Sequence, residues 1–593
     1  MTRVLARHRR LVTAALVVVA AMLAGVLTGC SGVPRSSVPQ PVRTLVDGGN
    51  PTPELTVRPE PGDDPRKTVD KFLQANVSKD ERHPTARTFL TAAAAGKWQD
   101  GAATVVDDYR IGVPADNRVE VTGRVVGTLT ASGVYSPTLT GSGRTSEHDF
   151  VFQLTQVDGQ WRISDPPAGL LIRRSDFESA YRRRPLYFFN SKESRLVPDL
   201  RYSAAEQQSL ASWLLAALIA GPQQSVLRNE FPDQLEAERA KVTLSDPDLN
   251  DPVKIQLPGL SQVEPAVAER VAAQIAYTFY SFQAAQPITM FDGPNPVRLG
   301  GSLPEQFIRD TFASVSPESS ATPVLYYLRN GALMGPTGAA VPGPVGTGKP
   351  GLRWVAVTGT SPGLDVVGVG LASATVLTKG TPSAPLRPVA LPAAATTRPE
   401  FRPGDTDEVW LGAGTKLLQA VGTRVRTVQV VAATPPAGSA SVPANPTGRR
   451  LSAVRFSPDG TQIALVYATA TTSSVWVGAV GSDTARVDGI HQITPQDWRV
   501  TDVAWSDSQS VRAIGKLIST DDIEIWSCYA DGSSPQAPSA AGLPGIPDAV
   551  AAGSGVSTVV SAAGTVWREQ PGGGWQDAFA PEKSIGTAPI FAG

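Results

Sequence analysis

An internal repeat in the C-terminal half of the chain constrains the fold more than any other feature. The segment AVRFSPDGTQIALV (453–466) matches DVAWSDSQSVRAIG (502–515) at a 49-residue offset, each predicting a strand, a Ser-containing turn and a second strand. A β-branched residue followed by Trp recurs in the same region, at Val409-Trp410, Val475-Trp476, Ile525-Trp526 and Val566-Trp567. Repeats of about 40–50 residues with several short strands are typical of propeller blades. We therefore predict an all-β propeller of about six blades over residues 310–593, with a β-sandwich as the alternative.

The N-terminus has the pattern of an exported lipoprotein. Four arginines among the first ten residues precede an apolar run over residues 11–27, which ends in Leu27-Thr28-Gly29-Cys30. This order resembles the bacterial lipobox, in which the peptide is cut before the cysteine and the cysteine is acylated. We predict a signal peptide over residues 1–29, lipidation of Cys30 and anchoring at the extracytoplasmic face of the cell membrane. A transmembrane anchor is the alternative, because 17 apolar residues lie at the lower edge of a spanning length.

A proline-rich segment follows the lipidation site. Residues 31–62 contain seven prolines and almost no apolar periodicity. Such a segment is extended and semi-rigid, at about 3 Å per residue. We predict that residues 30–63 form a lipid-anchored tether that separates the folded body from the bilayer.

Residues 64–180 are predicted to form a first α+β module. Val69, Phe72 and Leu73 recur at helical spacing near its start. Strand-like alternation follows over residues 117–130 and again over residues 148–167, where Val157-Asp158-Gly159-Gln160 predicts a hairpin turn.

Residues 185–295 are predicted to form a second α+β module. Two short strands precede an amphipathic helix from Ala204 to Ala220, which Gly221-Pro222 terminates. A second helix and the strand-turn segment ITMFDG (288–293) complete the pattern. This order resembles the GerM-type germination and sporulation domain. The resemblance implies a binding domain of envelope proteins rather than an enzyme.

Composition excludes several classes of protein. With 53 basic and 54 acidic residues, the chain lacks the positive excess that a nucleic-acid partner requires. Two cysteines exclude a disulfide framework and a four-thiolate metal site. His83, His148 and His491 lie at no metal-ligand spacing, so we interpret them as surface or capping residues. We predict no cofactor and no metal.

Two motifs resemble enzyme motifs, but in each a proline replaces a residue that the chemistry requires. GPVGTGKP (343–350) has the spacing of a phosphate-binding loop, but Pro350 replaces the Ser or Thr that would hold magnesium. GTSPG (359–363) fits a nucleophile elbow, but Pro362 has no N–H for the oxyanion hole. We predict no catalytic residue. The alternative is a pair of carboxylates that distant strands bring together at the propeller mouth.

Adjacent charges along the chain have structural interpretations. In a strand, neighbouring residues point to opposite faces, so the pairs Asp63-Asp64, Asp107-Asp108 and Asp521-Asp522 do not form catalytic dyads by themselves. Arg173-Arg174 and Arg182-Arg183-Arg184 flank the junction of the two modules. We interpret them as a solvated linker, and contact with an anionic wall polymer, lipid headgroups or an acidic partner is the alternative.

The order of a lipidated cysteine, a tether, two α+β modules and a propeller resembles the LpqB family of actinobacterial lipoproteins over essentially the whole chain. The resemblance implies an accessory protein, not an enzyme, that binds the extracytoplasmic domain of an MtrB-type sensor histidine kinase. It would modulate MtrA–MtrB two-component signalling in cell-wall homeostasis and cell division. The alternatives are a glycan- or solute-binding lipoprotein, or a propeller-type cell-wall hydrolase or lyase. Contact with cell-wall glycan stays open.

Overall fold

The computed structural model describes most of the chain after the tether. The described residues are 57–78, 82–138, 147–244, 252–280, 286–300, 303–318, 322–349, 351–359, 363–433, 446, 448–481, 485–494, 498–533, 536–579 and 585–592. The predicted signal peptide, Cys30 and most of the tether lie outside these residues.

The first module combines one longer helix and three short helices with a mixed sheet. Asp64 caps the first helix by accepting a hydrogen bond from the Lys67 N–H, and Pro65 occupies its first turn. The elements are α1 (Pro65–Ala75), α2 (Pro84–Arg87), α3 (Ala92–Lys97), β1 (Ala103–Ile111), β2 (Arg118–Leu129), β3 (Tyr135–Pro137), β4 (Glu147–Val157), β5 (Gln160–Asp165), β6 (Leu170–Arg173) and α4 (Arg174–Ala180).

The strands of this sheet lie in the order β5-β4-β2-β1-β6, and β3 pairs with β2. β6 runs parallel to β1, whereas the other pairs are antiparallel. Asp158 and Gly159 join β4 to β5 with φ angles of 51° and 74°. Positive φ at both central residues is the geometry of a tight hairpin turn, so the predicted turn is confirmed.

The second module packs two long helices against small sheets. Its elements are β7 (Arg182–Arg183), β8 (Leu186–Asn190), β9 (Leu196–Asp199), β10 (Tyr202–Ser203), α5 (Gln207–Ala220), β11 (Leu227–Arg228), β12 (Lys241–Thr243), β13 (Val253–Gln256), α6 (Pro265–Tyr280), β14 (Ile288–Asp292), β15 (Asn295–Pro296) and β16 (Gln306–Phe307), with 3-10 helices at Ala237–Arg239, Leu260–Gln262 and Arg309–Val315. Gly221 ends α5 with φ 89°, as its sequence predicts.

This module extends past the predicted boundary at residue 295. β16 pairs with β14, and Phe307 and Phe312 are buried in the same apolar core as α5 and α6. The short segment around these two phenylalanines has no periodicity, so its sequence does not indicate that it packs there. Residues 310–315 therefore belong to this module and not to the propeller, whose first strand begins at Val324.

The remaining strands are all in the C-terminal region. They are β17 (Val324–Arg329), β18 (Ala332–Met334), β19 (Leu352–Thr358), β20 (Asp365–Gly370), β21 (Val376–Gly380), β22 (Arg387–Ala390), β23 (Glu400–Arg402), β24 (Asp405–Ala413), β25 (Lys416–Val421), β26 (Arg424–Thr427), β27 (Gln429–Ala432), β28 (Arg450–Phe456), β29 (Gln462–Ala468), β30 (Ser473–Val480), β31 (Arg486–Gln492), β32 (Trp498–Trp505), β33 (Ser510–Leu517), β34 (Ile523–Tyr529), β35 (Ala549–Gly553), β36 (Val556–Ala562), β37 (Thr565–Glu569), β38 (Trp575–Asp577) and β39 (Thr587–Ala592), with a 3-10 helix at Pro344–Thr347.

These strands form a closed ring of sheets. β19–β22, β23–β26 and β35–β38 are each four-stranded, and β27–β34 share one eight-stranded sheet. The inner strands β19, β23, β28, β32, β35 and β39 lie side by side in this order, and β39 contacts β19. β39 also pairs antiparallel with β17, so the last strand completes the first sheet. Closure distinguishes a propeller from a β-sandwich. The predicted fold class is confirmed, whereas the blade count of about six stays a prediction because two repeats share one sheet.

Three of the four repeated Trp residues share one local interaction, whereas the Trp567 indole donates to the Ala562 carbonyl oxygen at 3.3 Å. The indole N–H of Trp410 donates to Glu408 at 2.6 Å, that of Trp476 to Ser474 at 2.8 Å and that of Trp526 to Glu524 at 2.7 Å. Each acceptor lies two residues earlier, on the same face of the strand. The repeat therefore preserves a buried or half-buried indole together with a partner for its single donor.

In two repeats, the turn after the inner strand contains an Asp whose carboxylate accepts a backbone N–H. The Asp459 carboxylate accepts the Thr461 N–H at 2.8 Å, and the Asp507 carboxylate accepts the Ser510 N–H at 2.8 Å. Such bonds from Asp to the backbone a few residues later stabilise tight turns. The predicted turn Ser457-Pro458-Asp459-Gly460 is confirmed, with Gly460 at φ 72°.

Candidate binding site on the inner strands of the propeller

Charged side chains gather on the inner strands, although these strands are mostly apolar. Arg398 lies two residues before β23, Glu400 lies on β23, Arg455 on β28 and Asp502 on β32. Asp548 directly precedes β35. Because the inner strands of a propeller surround its axis, these five residues converge there from four strands. We call them the axial cluster.

A buried ion pair forms the centre of the axial cluster. Arg455 Nη2 donates to both carboxylate oxygens of Asp502, at 2.8 and 3.0 Å. The Val550 N–H donates to Asp502 at 3.2 Å, and Glu400 lies 4.0 Å from Arg455. This network links four consecutive inner strands. A buried charge pair costs desolvation, so its geometry must be satisfied by further hydrogen bonds, as it is for Asp502.

Two acids of the axial cluster have raised pKa values. Burial raises the pKa of Glu400, although Arg455 and Arg398 act in the opposite direction. Burial also raises the pKa of Asp548, whose carboxylate accepts a short hydrogen bond from the Ser561 hydroxyl. The Glu400 side chain keeps 22% of its surface exposed, so solvent reaches the cluster. The structure thus brings carboxyl groups from distant strands together at the axis, an arrangement that the sequence could neither predict nor exclude.

The two α+β modules and the propeller form one compact unit from Val57 onward. The Arg183 guanidinium lies 3.4 Å from the centre of the Tyr529 ring, next to the loop after β34. In the same loop, Ser533 and the Tyr202 hydroxyl are hydrogen-bonded at 2.5 Å. Interpreting the arginine cluster as a solvated linker was therefore wrong for Arg183, which packs against a propeller aromatic ring.

Glu318 makes a second connection between the modules and the propeller. It lies between the last 3-10 helix of the second module and β17. Its carboxylate accepts the Ser508 N–H at 3.0 Å and a short hydrogen bond from the Ser554 hydroxyl. One side chain therefore holds the turn after β32 and the turn after β35.

Several sequence-predicted residues have structural partners. Adjacent acids have different roles. Asp63 forms ion pairs with Lys67 and Lys71, whereas Asp64 caps α1. Asp107 and Asp108 pair with arginines, and Asp521 pairs with Lys516. Cys528 is buried in β34, and burial raises the pKa of its thiol to about 12. Cys528 therefore behaves as a small apolar residue.

The histidines have structural positions. His83 is half-buried with its Nδ1 at 3.0 Å from Asp100, which also accepts Arg87 Nη2 at 2.9 Å. It lies at the N-cap position of α2, although its side chain makes no capping hydrogen bond. His491 places its ring nitrogens 3.1 and 3.0 Å from the carbonyl oxygens of Gly489 and Ala530. His148 lies in β4.

The rejected enzyme motifs and the anchor fall partly outside the described residues. Cys30, Pro350 and residues 360–362 are among those that the structure does not describe. The preceding residues 344–347 form a 3-10 helix rather than a strand leading into a phosphate loop. Within the described ranges, no three His, Cys, Asp or Glu side chains are grouped to hold a metal ion. Over the same ranges, every helix is too short or too polar to cross a membrane.

The first module carries two cavities. One of about 10 Å³ lies among Phe72, Phe150 and Phe152 and is too small for a solute. A groove of about 630 Å³ lies beside α1 and is lined mainly by charged side chains, among them Arg66, Lys67, Asp70, Arg110 and Arg173. It contrasts with the apolar, aromatic lining typical of small-molecule sites.

Fold and site together define a multidomain protein in which two α+β modules are joined to a β-propeller with a charged axial cluster. Family models match the whole of this arrangement. "Lipoprotein LpqB, N-terminal domain" matches residues 58–178, "Sporulation and spore germination" matches 185–291, and "Lipoprotein LpqB beta-propeller domain" matches 331–592. The chain belongs to the LpqB lipoprotein family.

Curated relatives carry the same name. Lipoprotein LpqB of Rhodococcus jostii (strain RHA1) is 29% identical over 333 residues, which cover 53% of this chain and 54% of the relative. Lipoprotein LpqB of Mycobacterium paratuberculosis is 34% identical over 271 residues, covering 43% of this chain and 45% of the relative. The chain thus spans about half the length of the curated relatives it matches.

A solved structure from a nidogen/laminin complex is also similar, with a TM-score of 0.31 and 7% identity. The match covers 46% of this chain and 98% of that one. At this TM-score the likeness adds nothing about function.

Proposed function

We propose that this protein is a lipid-anchored accessory protein on the extracytoplasmic face of the membrane, which binds the sensor domain of an MtrB-type histidine kinase and modulates MtrA–MtrB signalling. The observation that carries the proposal is the match of both terminal parts of the chain to LpqB domains, around a GerM-type module. The output of the signalling would be cell-wall homeostasis and cell division.

The anchor supports this proposal through effective concentration. Cys30 follows a lipobox pattern, and residues 31–62 form a proline-rich spacer in the sequence. Two or more acyl chains give stable membrane anchoring, whereas one gives only marginal binding. Anchoring both partners in one membrane raises their effective concentration, so an interface of low affinity is sufficient for binding.

The joined modules support the proposal through the surface they create. Arg183 with Tyr529, Tyr202 with Ser533 and Glu318 with two propeller turns hold the α+β modules on the propeller. A partner can therefore contact several modules of one unit together. An accessory protein changes a sensor's output only by binding its two states with different affinity, and a broad surface offers many contacts that differ between states.

The experiment is a pull-down of the lipidated full chain from its native membranes. We expect the wild type to recover the sensor kinase, and Cys30→Ala to lose it because the anchor is gone. Cys528→Ala is the matched control, since it removes the other cysteine, which is buried far from the anchor in sequence. Recovery of only transporter subunits or wall glycan by the wild type would contradict the kinase partner and favour a solute- or glycan-binding role.

One observation favours the enzymatic alternative. Glu400 has a raised pKa and a partly exposed side chain, and Asp502 is close enough to act on it; a raised pKa suits a general acid. Hydrolysis of purified wall glycan by the wild type, abolished in Glu400→Gln, would support a hydrolase. Equal release of sugar by both proteins and by buffer alone would exclude it.

A further inference from the structure

Arg398 differs from the other buried arginines of the described chain in its lack of a counter-charge. Four arginines are less than a tenth exposed: Arg201, Arg398, Arg402 and Arg455. Three of them pair with carboxylates at 2.8, 3.5 and 2.8 Å, supplied by Asp199, Glu408 and Asp502. Arg398 has no carboxylate within 4.0 Å among the described residues, and its only hydrogen bond is from Nη1 to the Pro589 carbonyl at 2.9 Å.

The Arg398 side chain reaches past β19 on the inner side of the ring. It starts beside β23 and bonds to Pro589 on β39, and β19 lies between these two strands in the ring. Arg455, Asp502 and Glu400 are close enough to act on its charge, so the guanidinium belongs to the axial cluster. Its Nε is buried without a hydrogen-bond partner.

A second guanidinium lies close by. Arg455 is near enough to act on Arg398, and its Nε also lacks a partner. Burial lowers the pKa of Arg398 to about 10, and the positive charge of Arg455 adds to this effect. Arg398 still carries its charge at neutral pH. Burial raises the pKa of Glu400, the acid two residues further along the chain.

We propose that Arg398 is the anchor of an oxyanion site at the propeller axis, which takes a carboxylate or phosphate group of a ligand. The planar guanidinium offers parallel N–H donors that match both groups, and a charge-assisted bond is roughly twice as strong as a neutral one. An entering oxyanion supplies the counter-charge that the other three buried arginines obtain from the chain. The Glu400 side chain is 22% exposed, so the axial cluster has a side that faces solvent.

Two sources of this chemistry are a phosphate ester and the carboxylate of a peptide or sugar acid. Titration calorimetry of the full lipidated chain in detergent distinguishes them, with sodium phosphate in one arm and sodium acetate in the other at constant ionic strength. Saturable binding of phosphate alone assigns a phosphate ligand, and binding of acetate alone assigns a carboxylate. Saturable binding of both assigns an oxyanion site without preference.

Substitutions test whether Arg398 holds the ion. We expect Arg398→Gln to weaken binding by about tenfold or more, because a charge-assisted bond is lost. Arg424→Gln, which removes an exposed arginine of the same propeller, should bind as the wild type does. If Arg398→Gln does not fold, Arg398→Lys decides: it keeps the charge but loses the planar donors, so it should bind more weakly than the wild type. Equal binding by the wild type and the folded variant, or no saturable binding in either arm, would overturn the proposal. This inference is independent of the kinase partner.

Discussion

At the scale of single residues, Asp502 is the acid on which the axial cluster most depends. Its carboxylate accepts two contacts from Arg455 and one from the Val550 N–H. Asp502→Ala would leave the Arg455 charge buried without its close partner, and we expect the free energy of unfolding to fall by about 3–5 kcal/mol. Denaturant unfolding followed by Trp fluorescence measures this change.

The control for Asp502 is an ion pair on the surface of the same propeller. Asp407 lies 2.6 Å from Lys379, but its side chain is 72% exposed. Asp407→Ala should lower the free energy of unfolding by about 1 kcal/mol or less, because solvent screens the pair. Equal losses in the two variants would show that the axial pair contributes no more than a surface pair.

Asp63 gives a prediction about acid stability. Burial alone would raise its pKa, but hydrogen bonds from Lys71, Lys67 and the Glu60 N–H outweigh this and lower the pKa to about 2. A carboxylate with a lowered pKa stabilises the fold above its unfolded pKa of about 3.9, and this contribution is lost as the pH falls toward about 2.

Asp63→Asn removes this pH-dependent contribution. We expect the variant to have a lower Tm than the wild type near neutral pH, with the difference shrinking as the pH falls from about 4 to about 2. Thermal unfolding followed by circular dichroism across this range checks it. A constant difference in Tm at all pH values would mean that the ion pairs of Asp63 do not contribute to stability.

At the scale of elements, strands and turns were predictable because their signals are local. The Asp158-Gly159 hairpin, the end of α5 at Gly221 and the turn at Gly460 follow from backbone preferences of a few residues. The axial cluster was not predicted, because periodicity shows which face a residue occupies but not which distant strand lies opposite. A signal was present: Arg455 and Asp502 are charged residues that lie next to buried apolar residues in the inner strands of the aligned repeats.

Contacts between modules had no comparable signal. Arg183 and Tyr529 are ordinary residues of polar segments, and only the folded chain brings them together. The same holds for Phe307 and Phe312, which complete the core of the second module from beyond its last predicted strand. Long-range pairing depends on how the whole chain packs, so short sequence windows do not contain it.

Close packing between strands gives a prediction for β33. A Cβ on Gly515 would clash with the Arg499 carbonyl oxygen and lie 2.9 Å from the Val500 Cα, both backbone atoms of β32. Gly515→Ala should therefore lower stability by about 1–3 kcal/mol, since a strand cannot move aside as a flexible side chain can. Gly572→Ala is the control, because a Cβ there has no heavy atom within 4 Å. Differential scanning calorimetry should show a lower Tm for the first variant only.

At the scale of the whole molecule, the order of modules explains how one chain can combine an anchor, a spacer and a broad surface. The propeller supplies the axial cluster, and the α+β modules are held on it by contacts of Arg183, Tyr202 and Glu318. The proposed accessory role requires that the parts stay together while the chain is anchored, and the inter-module contacts meet this requirement.

Ring closure gives the prediction that concerns the whole propeller. β39 pairs with β17 and contacts β19, so the last strand joins the two ends of the ring, with Ile590 and Ala592 buried. A chain that stops at Gly586 would expose the edge of β17 and open the axis beside Arg398. We expect a lower Tm and loss of a single cooperative transition. Adding a synthetic peptide of residues 585–593 should restore the Tm by pairing with β17, because edge strands accept an added strand. A truncated chain that unfolds like the wild type, or that ignores the peptide, would mean that the other sheets hold the ring closed without β39.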